Sequence, residues 1–497
     1  MKKFFMLLGG TIFLLACNND DGGSSIPPEP EIEYTSGSAD FTTYVALGNS
    51  LSAGFSDSAL FIDGQTASFP NMLASNFALA GGGEFSIPFM ADNLGGMTLG
   101  GIPISNNRLI LDFSTGSPNP VEVEGTGTTE ISNKLTGPFN NLGVPGAKSY
   151  HLLAPGYGNV AGVAAGLANP YYARFASSGS STVVADALAQ NPTFFSLWVG
   201  NLDALNYAIA GGDGIDQTGN LDPTTYENND ISDPNVFAAA YNGILQAMTA
   251  NGAKGVIANL PDLKVLPYFT TVPHNPVPLD AATAELLNGA YALYNGGVMQ
   301  LAGLNIITAE EAAARQIVFS AGETNAVVLL DEDLTDLTGF NPNLINIRQA
   351  TAEDLLVFTS QTIIGTLANP NDPTSINGVA VPLEDKWVLT PQEQEIASIA
   401  AAAYNQTIEA LAQQYDLAFV DAKALLEEVN ETGITLSDGS VVTSTYATGG
   451  GFSLDGIHPA PRGYALVANA MIASINAKFG SNLPGVEPLD YTGLYIK

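Results

Sequence analysis

From about residue 40 onward the chain alternates short β-rich runs with helix-length patterns, and that alternation restricts the fold more than any other feature. Thr43-Tyr44-Val45-Ala46-Leu47 is an apolar run ending at Gly48, and residues 194–199, 255–259, 305–308 and 417–420 are expected as further strands. Helical patterns occupy about 181–190, 235–251, 280–300, 390–414 and 462–478. The fourth opens with Thr390-Pro391-Gln392-Glu393, a capping box with proline at the first helical position, so its start is well marked. Strand, helix and strand in close succession make a parallel βαβ unit. The expected fold class is therefore α/β, a three-layer α/β/α sandwich with a parallel central sheet.

Three stretches break the alternation, at about 84–137, 204–233 and 310–385. They are rich in Gly, Asn, Pro and Thr and are read as loop-and-hairpin insertions above one sheet. A chain of 497 residues would by length alone suggest about three domains. No repeat at solenoid spacing is present, so one inserted domain over 40–480, followed by a tail over 481–497, is the preferred organisation. With 46% hydrophobic and only 13% charged residues, the chain can bury a large core, which excludes bulk disorder. Lys and Arg total 15 against 49 Asp and Glu, a net charge of -34 that repels phosphate backbones and excludes nucleic acid as a partner. The single cysteine rules out an intrachain disulfide framework and a cysteine-based zinc site. Any histidine chemistry must use His151, His274 or His458.

Residues 1–17 read MKKFFMLLGGTIFLLAC: two lysines, an apolar run too short for a stable transmembrane helix, and then Cys17. The ending resembles the bacterial lipoprotein lipobox, which implies a signal peptide over 1–16, cleavage before Cys17 and lipid attachment there. More than one acyl chain makes such anchoring stable. Residues 17–39 are polar, acidic and rich in Pro, Gly and Ser, as a flexible tether is. The acidic run behind the cysteine also resembles the surface-export signal of Bacteroidetes lipoproteins. The implied location is the outer membrane, on its periplasmic face or at the cell surface.

Ser50, in Val45-Ala46-Leu47-Gly48-Asn49-Ser50, follows a strand and precedes a helix, where a hydroxyl is exposed and helix amides stabilise negative charge. Far along the chain, Asp455-Gly456-Ile457-His458-Pro459 sets a carboxylate three residues before an imidazole, close enough on a tight turn to orient it as a general base. Between them, Asn141-Leu142-Gly143-Val144-Pro145-Gly146 is a strand-to-loop turn that can present the Gly146 N–H. Phe195–Asn201 is a buried strand that delivers the Asn201 amide at its C-terminal end, the ligand-binding end of a parallel sheet. Each of these taken alone also suits a plainer role: a capping serine, a surface Asp-His pair, a turn glycine, a loop-capping asparagine.

In this order the four blocks resemble the SGNH (GDSL-type) hydrolase family, whose fold is a flavodoxin-like α/β/α sandwich. The resemblance implies a Ser50 nucleophile, a His458 base oriented by Asp455, and an oxyanion hole built from Ser50, Gly146 and Asn201. Residues 68–74 (SFPNMLA) and 255–269 (GVIANLPDLKVLPYF) also look like this family. Two departures stand out: Asn49 occupies the place where the family usually has Asp, and the acid after Asn201 is displaced to Asp203. The implied activity is that of a membrane-anchored serine ester hydrolase, a lipase or esterase working through an acyl-enzyme without metal or other cofactor. Its substrate would be a small-molecule, lipid or acylated-glycan ester.

Two other readings remain open from sequence. One keeps the fold and triad but acts on acetylated polysaccharide; the other is a noncatalytic surface lipoprotein that binds glycans or lipids. The second is weakened by aromatic scarcity, since the only tryptophans are Trp198, in an expected core strand, and Trp387. The acidic run Asp331-Glu332-Asp333 with Asp336 lacks the glycine and terminal glutamate of an EF-hand calcium loop and is read as a solvated loop. His151 and His274 are read as ordinary loop or helix histidines.

Overall fold

The computed structural model describes residues 32–114, 116 and 118–497. The expected signal segment 1–16, Cys17 and part of the expected tether lie outside the described residues. Five strands form the central sheet: β1 (Tyr44–Gly48), β2 (Asn141–Gly143), β3 (Phe194–Trp198), β4 (Lys254–Ala258) and β5 (Ala418–Val420). Their order is β5-β4-β3-β1-β2 and every pairing is parallel. The fold class is thus α/β, as the alternation required.

Period-two alternation sorts the strand residues between two cores. Val45 and Leu47 of β1, with Phe195 and Leu197 of β3, face one core, which is closed by α3 (Val183–Leu188), α5 (Pro234–Thr249) and α7 (Pro391–Gln414). Tyr44, Ala46, Phe194 and Trp198 face the other, under α2 (Phe69–Leu79) and α9 (Pro461–Phe479). Helices thus cover both faces of the sheet. The capping box at Thr390 and Glu393 forms as read.

Four sequence expectations are corrected. Residues 305–308 are not a strand: Asn305 takes φ 57 just beyond the long helix α6 (Ala281–Gly303), and Thr308 then caps the helix Ala309–Ala314. Asparagine tolerates the left-handed region, so a short apolar run became a turn between helices. The stretch from 204 is not loop at its start, because α4 (Leu202–Ile209) buries Ala204, Leu205, Tyr207 and Ala208 in the sheet core. Helix α6 does not flank the sheet; Leu287, Val298 and Leu301 join a separate core that gathers residues 272–388 into a lobe larger than the expected 310–385 insertion. Asp331 is not solvated but pairs, buried, with Arg348.

Residues 481–497 fold back on the body: Tyr495 stacks under the Arg108 guanidinium and Ile496 bridges to Leu111. Residues 34–497 form one compact unit. No helix among the described residues is long and apolar enough to cross a membrane.

Candidate active site

The chain runs from β1 to β2 on one side, then to β3 on the other, so the sheet order reverses beside β1. At such a switch point the C-terminal strand ends flank an open crevice. Ser50 follows β1, Gly146 follows β2 and Asn201 follows β3.

Ser50 opens the short helix α1 (Ser50–Ala53), which Gly54 ends at φ 82. The cap of that helix is Asn49, whose Oδ1 accepts the Leu51 N–H at 3.2 Å, so Ser50 is released from the capping role. Ser50 Oγ instead lies 2.9 Å from His458 Nε2, across 408 residues of sequence. His458 Nδ1 lies 3.0 Å from Asp455 Oδ2. The acid is held hard: its Oδ1 accepts the N–H groups of Ile457 (2.9 Å) and His458 (2.8 Å), and its Oδ2 accepts the Ser58 N–H (3.0 Å). Burial alone would push this carboxyl up, but the imidazole beside it and these hydrogen bonds outweigh burial and hold it at about 2. Phe55 packs on the imidazole with ring centroids 4.7 Å apart. Carboxylate, imidazole and hydroxyl therefore form a continuous hydrogen-bonded series, an arrangement that can activate a serine.

The amide donors gather at the same edge. Asn49 Nδ2 donates to Asn201 Oδ1, which fixes the orientation of the amide and leaves Asn201 Nδ2 without an acceptor among the described residues. Asn201 makes no side-chain cap bond to α4. Gly146 takes φ 83, a conformation that favours glycine, and its N–H has no acceptor among the described residues. Its loop continues β2 alongside the serine turn, where Val144 N–H donates to Gly48 O at 3.0 Å. The Ser50 N–H, at the first position of a helix, has no intrahelical partner by construction. The displaced acid Asp203 joins the donor segments to each other. It is fully buried, and it accepts both the N–H and the hydroxyl of Ser149 at 2.8 Å, three residues beyond Gly146.

The flanking blocks serve the same site. Phe69 of the 68–74 block packs edge-on against Trp198, and Trp198 Nε1 donates to Asn259 O at 3.0 Å. Tyr268 N–H donates to Gly456 O at 3.0 Å and pins the Asp455–His458 turn. Its other two histidines stay outside the relay. His151 stacks on Tyr157 and accepts the Lys148 N–H; burial, with Lys148 beside it, lowers it to about 4. His274 lies in a loop whose carbonyl accepts from Val327.

Sequence reasoning missed two contributors. Asp57, 1% exposed, accepts the Leu454 N–H and sits beside the relay acid. Helix α8 (Ala422–Glu431) forms one wall of an apolar cleft; Asp421 before Leu425, Leu426 and Val429 was its readable signal. That cleft has a cavity volume of about 110 Å³ and is partly open to solvent. It begins at Leu51, Asn201 and Ile457, each at or next to a relay or donor residue, and runs to Leu205, Leu426 and Val429. Asn201 supplies its polar end, and the remaining lining is apolar.

Against protein-family models, curated proteins and solved structures, the chain finds no match.

Proposed function

We propose that this chain is a serine ester hydrolase of the SGNH type, with a flavodoxin-like SGNH fold, held at the outer membrane by lipid on Cys17. The observation that carries this reading is the unbroken series Ser50 Oγ, His458 Nε2, His458 Nδ1, Asp455 Oδ2, with contacts of 2.9 and 3.0 Å. His458 takes the hydroxyl proton as Ser50 Oγ attacks the ester carbonyl, and Asp455 holds the tautomer and balances the imidazolium. The oxyanion is received by the N–H groups of Ser50 and Gly146 and by Asn201 Nδ2, each worth about 3 kcal/mol in the transition state. Collapse expels the alcohol, which takes the proton from His458. Water, deprotonated by the same imidazole, then releases the acid and restores Ser50. A noncatalytic binder has no use for such a relay.

The apolar cleft favours esters of extended acyl chains over acetylated polysaccharide, because its lining beyond Asn201 offers apolar side chains and no polar partners for a sugar, whereas each buried methylene contributes about 0.8 kcal/mol. A fluorophosphonate probe should label the wild-type chain and leave Ser50→Ala unlabelled; equal labelling of both would end the catalytic reading. Across p-nitrophenyl esters from acetate to palmitate, kcat/KM should rise with chain length until the cleft is filled. A preference for acetate, or for acetylated xylan, would reverse the substrate assignment.

A further inference from the structure

Away from the relay, Glu332, Asp385 and Glu393 bring three carboxylates together, with one oxygen of each lying within 4.8 Å of the others. They come from separate places: Glu332 from the 272–388 lobe, Asp385 from the turn that leads out of it, and Glu393 from the first turn of α7. Glu393 is only 2% exposed, and its two oxygens differ. Oε2 completes the capping box, accepting the Thr390 N–H at 2.6 Å and the Thr390 hydroxyl at 2.8 Å. Oε1 belongs to no such bond; it is buried without a hydrogen-bond partner, and so is Asp385 Oδ1. No Lys or Arg among the described residues pairs with any of the three, since Lys386 turns to Glu384 and Arg348 to Asp331 and Asp354.

The backbone makes room for this cluster. Gly212, at φ +90, passes so near that a Cβ there would lie 1.8 Å from Glu393 Oε1. Buried carboxylates without a counter-charge are costly: burial first, then the carboxyl of Glu332 beside each and the neighbouring negative charges, push both Asp385 and Glu393 up, in Glu393 against the pull of the Thr390 bonds. An all-oxygen donor set with up to three negative charges suits a hard divalent cation. Calcium, bonding carboxylate oxygen at about 2.3–2.6 Å, can span oxygens at this separation from a central position and tolerates irregular geometry.

We propose that Glu332, Asp385 and Glu393 form a calcium site that fastens the 272–388 lobe to the start of α7. The ion takes the two buried oxygens that lack donors, together with one from exposed Glu332, and closes the lobe where its chain leaves for the sheet. Of the acidic run singled out in sequence, Asp331 is spent on Arg348 and Asp336 on Thr338, Asp333 does not join the cluster, and Glu332 is the member that faces the ion.

The purified full chain, stripped with EGTA, provides the test by calorimetric titration with calcium chloride or magnesium chloride and by thermal unfolding. One calcium should bind per chain and raise Tm by at least about 3 °C at saturation. Glu332→Gln, at an exposed position, should keep the fold by circular dichroism while weakening calcium binding at least tenfold. Asp385→Asn should do the same and serves as a second variant. Absence of calcium binding to the wild type overturns the proposal, as does unchanged binding in Glu332→Gln or a magnesium affinity equal to that for calcium.

Discussion

At the scale of single residues, Asp57 shows what motif spacing cannot. Its N–H donates to Ser453 Oγ, its Oδ1 accepts from Leu454, and the next N–H, from Ser58, reaches Asp455 Oδ2, all at 3.0 Å. Burial pushes its carboxyl up to about 7, against the pull of the Leu454 N–H and with the help of the Asp455 charge. An unfolded aspartate ionises near 3.8, so between about pH 4 and 7 the native state keeps a proton that the unfolded state has released. Stability from this group therefore falls as pH rises through that window and levels off above it, by about 4 kcal/mol at most. Asp57→Asn keeps an oxygen for Leu454 and abolishes the titration. Urea midpoints from pH 4 to 8 should show the variant gaining on the wild type across the window; parallel profiles would contradict the assignment. Ser50, Asp455 and His458 were legible because each carries local context, a strand-turn-helix or a three-residue spacing. Asp57 acquires its role only from a segment nearly 400 positions away.

Among the elements, α4 does more than flank the sheet. Its first turn carries Asp203, whose two bonds to Ser149 tie the Gly146 loop to the helix that follows Asn201. Asp203→Ala would leave the buried Ser149 N–H unpaired, costing about 1–3 kcal/mol. Misplacing one oxyanion donor should lower kcat about 10- to 100-fold. KM for a long-chain p-nitrophenyl ester should hold, because Asp203 does not line the apolar cleft, and Asp203→Asn should recover part of kcat through its remaining acceptor. An unchanged kcat in the alanine variant would mean that Gly146 is held by other contacts. This coupling was hidden in the sequence, where Asp203 looked merely displaced from its usual place. Helix ends proved readable where a cap marked them, as at Thr390, whereas the Ile306-Ile307 pair resembled a strand because two adjacent apolar residues carry no period, and of the two only Ile307 is buried. Only the turn at Asn305 distinguishes the two.

For the molecule as a whole, the open question is how the 272–388 lobe shares stability with the sheet. Its apolar core is distinct from the two that sandwich the sheet, a division that composition could not reveal because the whole stretch is similarly rich in Gly, Asn and Thr. The electrostatic centre of the lobe is Arg348, which donates to Asp331 and, bidentately at 2.7 Å, to both oxygens of Asp354, with all three residues buried. Breaking a buried pair from one side strands the opposite charges, a loss of about 3–5 kcal/mol. Arg348→Ala strands two carboxylates at once, and none of the three residues touches the relay. Since the sheet cores do not depend on that pair, the damage should stay in the lobe. Calorimetry of Arg348→Ala should show a new transition below the main one, with Ser50 still labelled by fluorophosphonate at temperatures between the two. Arg348→Lys, which keeps the charge but not the fork, should fall between variant and wild type. Loss of labelling together with the first transition would show instead that lobe and sheet unfold as one cooperative body.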